Sequence, residues 1–246
     1  MIEKIFICLT AILPVAVLLV FIYKADRYKR EPLKWLTAAF LCGIVAAGLT
    51  FLVGYPLFET GLYSPSQSDD FTNDFTNYLR EGFRSQAIPS EVAKFIMLWI
   101  LLHVNKHYDE FVDSIVYSTC IAMGFVGINN AYFLFHSQEW VEYGLVRAIV
   151  LVPFHFAFGA VMGYIYGISR LMEKNKWITW LLALLVAIVV DGFVSAVLMS
   201  FDMSFDDMPM FPLLVLLSYI ILYLLTKQGI RHMLMEDLLE NSDSNS

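Results

Sequence analysis

The sequence predicts an all-α, polytopic membrane protein of about seven transmembrane helices, with the N-terminus outside and the C-terminus inside. Three observations carry this prediction. Apolar residues make up 59% of the 246-residue chain and charged residues only 16%, against roughly 45–50% and about 25% in a soluble domain. The apolar surplus is gathered into runs near the length of about 20 residues that crosses hydrocarbon. The Lys and Arg residues between those runs fall mainly on one side of their alternation.

The runs lie at 5–23, 34–57, 88–103, 111–135, 146–169, 177–200 and 211–226. The first has no small-x-small cleavage signal, and its basic cluster follows the run instead of preceding it, so it reads as a retained helix and not a secretory leader. The third is the shortest and contains Glu91 and Lys94. It is kept as a span because 95–102 is wholly apolar and because the charge count requires it. With seven spans, Lys24, Arg27, Lys29, Arg30, Lys34, Lys106, Arg170, Lys174, Lys176, Lys227 and Arg231 share one side. Lys4, Arg80, Arg84 and Arg147 share the other, and the acidic loop 201–211 adds no basic residue to it. Basic residues favour the cytoplasmic side, which sets the orientation.

One transmembrane domain is expected over 1–234, followed by a disordered acidic tail at 235–246. The loop 58–89 is placed outside. Within it, 71–83 spaces Phe71, Phe75, Tyr78, Leu79 and Phe83 at helical intervals. This segment reads equally as an amphipathic helix on the outer membrane surface and as an aqueous extension of the third span. The net charge of −7 comes largely from loops and tail. Without a basic stripe to neutralise phosphates, nucleic acid is excluded as a partner. Cys8, Cys42 and Cys120 sit inside apolar runs without CxxC spacing, so neither a disulfide framework nor a zinc ribbon is expected.

Ionisable residues inside a membrane are costly unless satisfied, and therefore mark function by default. Here they are Glu91, Lys94, His155 and Asp191, joined by the polar pair Asn129–Asn130. Counted from the cytoplasmic ends, Glu91, Asn129, His155 and Asp191 lie about 12, 18, 15 and 14 residues up their helices, within roughly 10 Å of one level. Four polar groups on four helices at one depth point to one site. Each also has a plainer reading. Glu91 and Lys94, at i and i+3, can neutralise one another. The asparagines can join helices, and His155 can donate to a carbonyl. Asp191 is harder to place without a cation, a proton or a metal. Gly159, Gly163 and Gly167 repeat every fourth residue, a pattern that permits close helix packing.

Several segments together resemble the PrsW family of intramembrane proteases, relatives of the CAAX-type endopeptidases. Pro14, Asp26 and Glu31-Pro32 match the family's opening. Ser90-Glu91-Val92-Ala93-Lys94 sits at its EExxK motif. The segment from His107-Tyr108-Asp109-Glu110 to Asp113-Ser114-Ile115-Val116-Tyr117 resembles HxDExxDGIVYG. Gly124-Phe125 to Asn129-Asn130 falls on GFxxxEN, His155 to Gly163 on the HAxxGxxMGxxxG stretch, and Asp191 to Ser195 on HxxxD. The resemblance implies a bacterial cytoplasmic-membrane protein that hydrolyses peptide bonds in the outer leaflet. A glutamate would activate water, while histidine and acidic side chains bind a divalent metal such as zinc, or the oxyanion. It implies Glu91, Lys94, Asn129, His155 and Asp191 as catalytic positions, and Glu91, His155 and Asp191 as metal ligands.

The departures fall on the motifs themselves. Ser90 replaces the first glutamate, Asn129 the FxxxE glutamate, Asp191 the HxxxD histidine and Ser195 its aspartate. Asparagine is no base near neutral pH. The reading that follows is a catalytically impaired or inactive member that binds the transmembrane segment of a membrane-anchored protein. The alternative is an active protease making the first cut in a membrane-anchored regulator such as an anti-sigma factor. A small transporter ranks below both, because no span reads as an inverted repeat of another.

Overall fold

The computed structural model describes residues 2–25, 31–59, 75–108, 111–171, 175–200 and 220. Among these the chain is helical and contains no strand. Lipid offers no partners to backbone N–H and C=O groups, and helices satisfy them internally. The elements are α1 (Ile2–Ala25), α2 (Leu33–Glu59), α3 (Phe75–Glu81), α4 (Ile88–Val104), α5 (Phe111–His136), α6 (Trp140–Val146), α7 (Val152–Leu171) and α8 (Lys176–Ser200). A π-helical turn, Gly82–Ala87, joins α3 to α4, and another, Arg147–Leu151, joins α6 to α7.

Six helices are long and apolar enough to cross a membrane: Lys4–Lys24, Leu33–Leu52, Phe75–Val104, Phe111–His136, Trp140–Ser169 and Lys176–Ser200. They correspond to the first six expected spans. The seventh, 211–226, lies outside the described residues, as do the tail 235–246 and the part of the outer loop at 60–74.

Two boundaries move. The third span begins at Phe75, because 75–81 continues through the π turn into α4. The segment 75–83 is thus an extension of the third helix, packed on α8 and not lying apart on the membrane surface. Phe75 meets Phe193 edge-on at 6.3 Å between ring centroids, and a Cβ on Gly82 would come within 2.7 Å of the Gly192 carbonyl oxygen. The fifth span likewise begins at Trp140, so Arg147, at the outer edge of the expected 146–169 run, lies well inside the span, where it is buried.

The centre of the bundle is α5, buried along most of its length. It packs most extensively on α7 and α2, and also on α1. Small residues set these approaches. At the α2–α5 crossing, a Cβ on Gly43 would collide with the Ile121 carbonyl oxygen, and one on Gly124 with that of Phe40. Along α7, Gly159, Gly163 and Gly167 face the backbone or side chains of Ser118, Ser114 and Phe111 on α5. Helices that approach this closely gain van der Waals contact, the main source of association in lipid. Ser114 ties the same seam by donating a hydrogen bond to the Gly163 carbonyl at 2.9 Å.

The orientation expected from the basic residues has a direct check. With Cys8, Cys42 and Cys120 changed to Ala, Ser66→Cys should react with an impermeant thiol reagent on intact cells, and Asn175→Cys should react only after lysis. The reverse pattern would invert the topology.

Candidate functional site

Both π turns immediately precede the residues that converge. A π turn shifts helix register by one residue and commonly occurs at functional positions. The turn at Gly82–Ala87 leads into Ser90, Glu91 and Lys94 on α4, and the turn at Arg147–Leu151 leads into His155 on α7. Asp191 and Ser195 come from α8. Close contact between Gly82 and the Gly192–Ala196 stretch brings α8 against this end of α4.

Glu91, Lys94, His155 and Asp191 are all buried, at 1%, 3%, 6% and 4% exposure. The Lys94 ammonium ion-pairs with the Glu91 carboxylate, stands 3.4 Å from His155 Nδ1 and lies 4.8 Å above the Phe125 ring. This cation has thus taken up a carboxylate, an imidazole and an aromatic face in a medium where each such interaction is strengthened. Phe125 and Phe158 pack on the His155 ring at 5.8 and 5.9 Å.

Asp191 is held separately. Ser90 Oγ donates to its Oδ2 and Ser195 Oγ to its Oδ1, each at 3.1 Å. Both carboxylate oxygens therefore have a hydroxyl partner, which offsets the cost of burying the charge. Asp191 is also close enough to Glu91 and His155 to interact with both electrostatically.

Four of the five expected site residues are thus brought together; Asn129 is not. It is half-buried and forms no side-chain hydrogen bond among the described residues, whereas its neighbour Asn130 is buried and accepts a hydrogen bond from Arg147 Nε at 2.8 Å. The Arg147 guanidinium also stacks 4.3 Å from the Phe133 ring centroid. Adjacent helical residues point about 100° apart, and depth alone could not choose between the two asparagines. Arg147 was missed because, at the outer edge of the 146–169 run, it was counted as a topology charge; a basic residue inside an apolar run beside the asparagine pair was the available signal.

The set Glu91, His155 and Asp191 does not fit a divalent metal in this arrangement. The space between Glu91 and His155 holds the Lys94 ammonium, and both Asp191 oxygens accept from serines. Among the described residues no three His, Cys, Asp or Glu side chains stand where they could hold a metal ion.

A second buried polar group lies toward the opposite end of α5. Tyr117 donates to the Glu31 carboxylate, and Asn105 and Asp113 are buried nearby. This bond ties one end of α5 to the start of α2. Pro32 also accepts the first α2 backbone bond, from Trp35 N at 2.8 Å.

Residues 31–225 match the model of a family described as PrsW family intramembrane metalloprotease. The chain is similar to Protease PrsW of Bacillus subtilis, 28% identical over 182 residues covering 74% of this chain and 77% of that protein. It is also similar to Protease PrsW of Clostridioides difficile, 28% identical over 200 residues and 80% of each chain. The corresponding protein of Oceanobacillus iheyensis is 27% identical over 216 residues, 88% of this chain and 93% of its own. No solved structure matches the chain.

Proposed function

The chain belongs to the PrsW family of intramembrane metalloproteases, and we propose that within it this member is catalytically impaired or inactive and binds the transmembrane segment of a membrane-anchored protein. The observation that carries the proposal is the Ser90–Asp191–Ser195 unit. Three of the four positions that depart from the family motifs are hydrogen-bonded to one another. The replacements act as one unit: an aspartate in the bundle, satisfied by the two serines that accompany it. The fourth, Asn129, forms no side-chain hydrogen bond among the described residues and offers no base.

In hydrolysis, Glu91 would take a proton from water while a polarising group draws charge from the scissile carbonyl. Its carboxylate is instead paired with Lys94 on its own helix, and the arrangement suits a packed polar core better than an open reaction centre. The convergence of Glu91, His155 and Asp191 favours the second reading, an active protease cutting a membrane-anchored regulator such as an anti-sigma factor. In that reading a divalent metal such as zinc would require Lys94 to move away.

Gly159, Gly163 and Gly167 are taken up in the α5–α7 seam, so in this proposal the partner helix binds elsewhere on the bundle.

Tagged single-span bacterial membrane proteins, co-expressed one at a time, test the binding role. A partner recovered with the native chain should be recovered equally with Glu91→Gln. Recovery that rises in Glu91→Gln would identify a trapped substrate and overturn the proposal.

A further inference from the structure

At the bundle end formed by the C-terminal parts of α4 and α7 and the start of α8, a cavity of about 340 Å³ opens between the helices. It is lined by Leu102, His103, Tyr108, Tyr166, Ser169, Lys176 and Trp180. None of these is acidic, and Lys176 brings a positive charge at the first residue of α8. A helix N-terminus adds its own partial positive charge and unpaired N–H groups.

Ser169 supplies the second, independent observation. It is 4% exposed and its Oγ accepts a hydrogen bond from Trp180 Nε1 at 3.0 Å. The serine's own hydroxyl proton has no acceptor among the described residues, though it borders the cavity. A buried donor without an acceptor is costly, and an oxyanion in the cavity would satisfy it. The remaining walls are aromatic. Trp180 stacks on Tyr166 at 5.6 Å and 9°, and His103, with Nδ1 engaged by the Trp99 carbonyl at 2.7 Å, meets Trp180 edge-on at 5.8 Å.

The height of the cavity selects the source of the anion. It lies where three membrane-spanning helices end, beside a Trp and a Tyr of the kind that settle at the head-group level. It is also on the side carrying most of the basic residues. Basic pockets between spans on that side suit lipid head groups. We propose that this cavity binds the phosphate of an anionic phospholipid, with Lys176 neutralising its charge and Ser169 donating to a phosphate oxygen.

The full chain, purified in detergent, would be titrated with phosphatidylglycerol, phosphatidylcholine and inorganic phosphate, and bound lipid counted by native mass spectrometry. Phosphatidylglycerol should bind one per chain, and Lys176→Ala should weaken it by about fivefold. Ser169→Ala should weaken it further, with thermal midpoints of the lipid-free variants near that of the native chain. Phosphatidylcholine should bind at least tenfold more weakly than phosphatidylglycerol. Equal binding of the two lipids, or phosphatidylglycerol binding that Lys176→Ala leaves unchanged, would overturn the proposal. Inorganic phosphate displacing the lipid at equal concentration would overturn it too, since the ligand would then be a soluble anion. If Ser169→Ala proves unstable, the Lys176→Ala arm alone decides.

Discussion

Lys94→Met should destabilise the protein by about 3–5 kcal/mol, the usual effect of stranding one partner of a buried ion pair. The substitution keeps length and apolar bulk but removes the ammonium that pairs with Glu91 and stands between it and His155. Glu91 is 1% exposed and cannot turn to water without opening the bundle. In detergent the thermal midpoint should fall steeply. The double variant Glu91→Leu/Lys94→Met should recover much of the loss, because replacing both members of a buried pair by apolar groups is often neutral or stabilising. If Lys94→Met is as stable as the native protein, the pair does not hold the site together.

Gly163→Leu should be the most disruptive single change along α7. Even a Cβ at this position would press on the Ser114 carbonyl and come within 2.7 Å of Ile115 Cα. These are backbone atoms, so α5 and α7 would have to separate, at a cost above the about 1–3 kcal/mol of ordinary overpacking. The hydrogen bond from Ser114 to the Gly163 carbonyl would be lost with them. Gly163→Leu should therefore fail to accumulate in membranes or unfold at a much lower temperature. Gly48→Leu is the matched control: nothing lies within 4 Å of a Cβ there, and its stability should stay near that of the native protein. Similar behaviour of the two variants would mean that α5 and α7 do not meet through the glycine seam.

These residues also show where sequence reading succeeds. Five of the six spans within the described residues were legible because each apolar run is long enough to cross hydrocarbon; the third, 88–103, also needed the distribution of basic residues. The glycine repeat correctly announced a close approach, but periodicity does not name the neighbour. The neighbour is α5, inside the bundle. The entry to the third span was left open between a surface helix and an extension of that span, because helical spacing alone does not say what 71–83 packs on. A π turn and close packing against Gly192 keep the chain helical there.

In the site, Glu91 and Lys94 at i and i+3 were already on one face, and the pair forms. Equal depth brought in His155 and Asp191 as well. Facing could not be read in the same way: Asn130, not Asn129, points into the bundle, toward Arg147. The role of Ser90 and Ser195 was hidden too. As single replacements they read as losses, and only their shared bonds to Asp191 show that they compensate one another.

The most direct test is a cleavage assay with purified protein reconstituted in liposomes beside a single-span membrane protein that it binds. The native chain should leave that protein intact, giving no product that depends on Glu91. A fragment cut near the outer membrane boundary that disappears in Glu91→Gln would show a working protease, and the Ser90–Asp191–Ser195 unit would then have to be part of an active site.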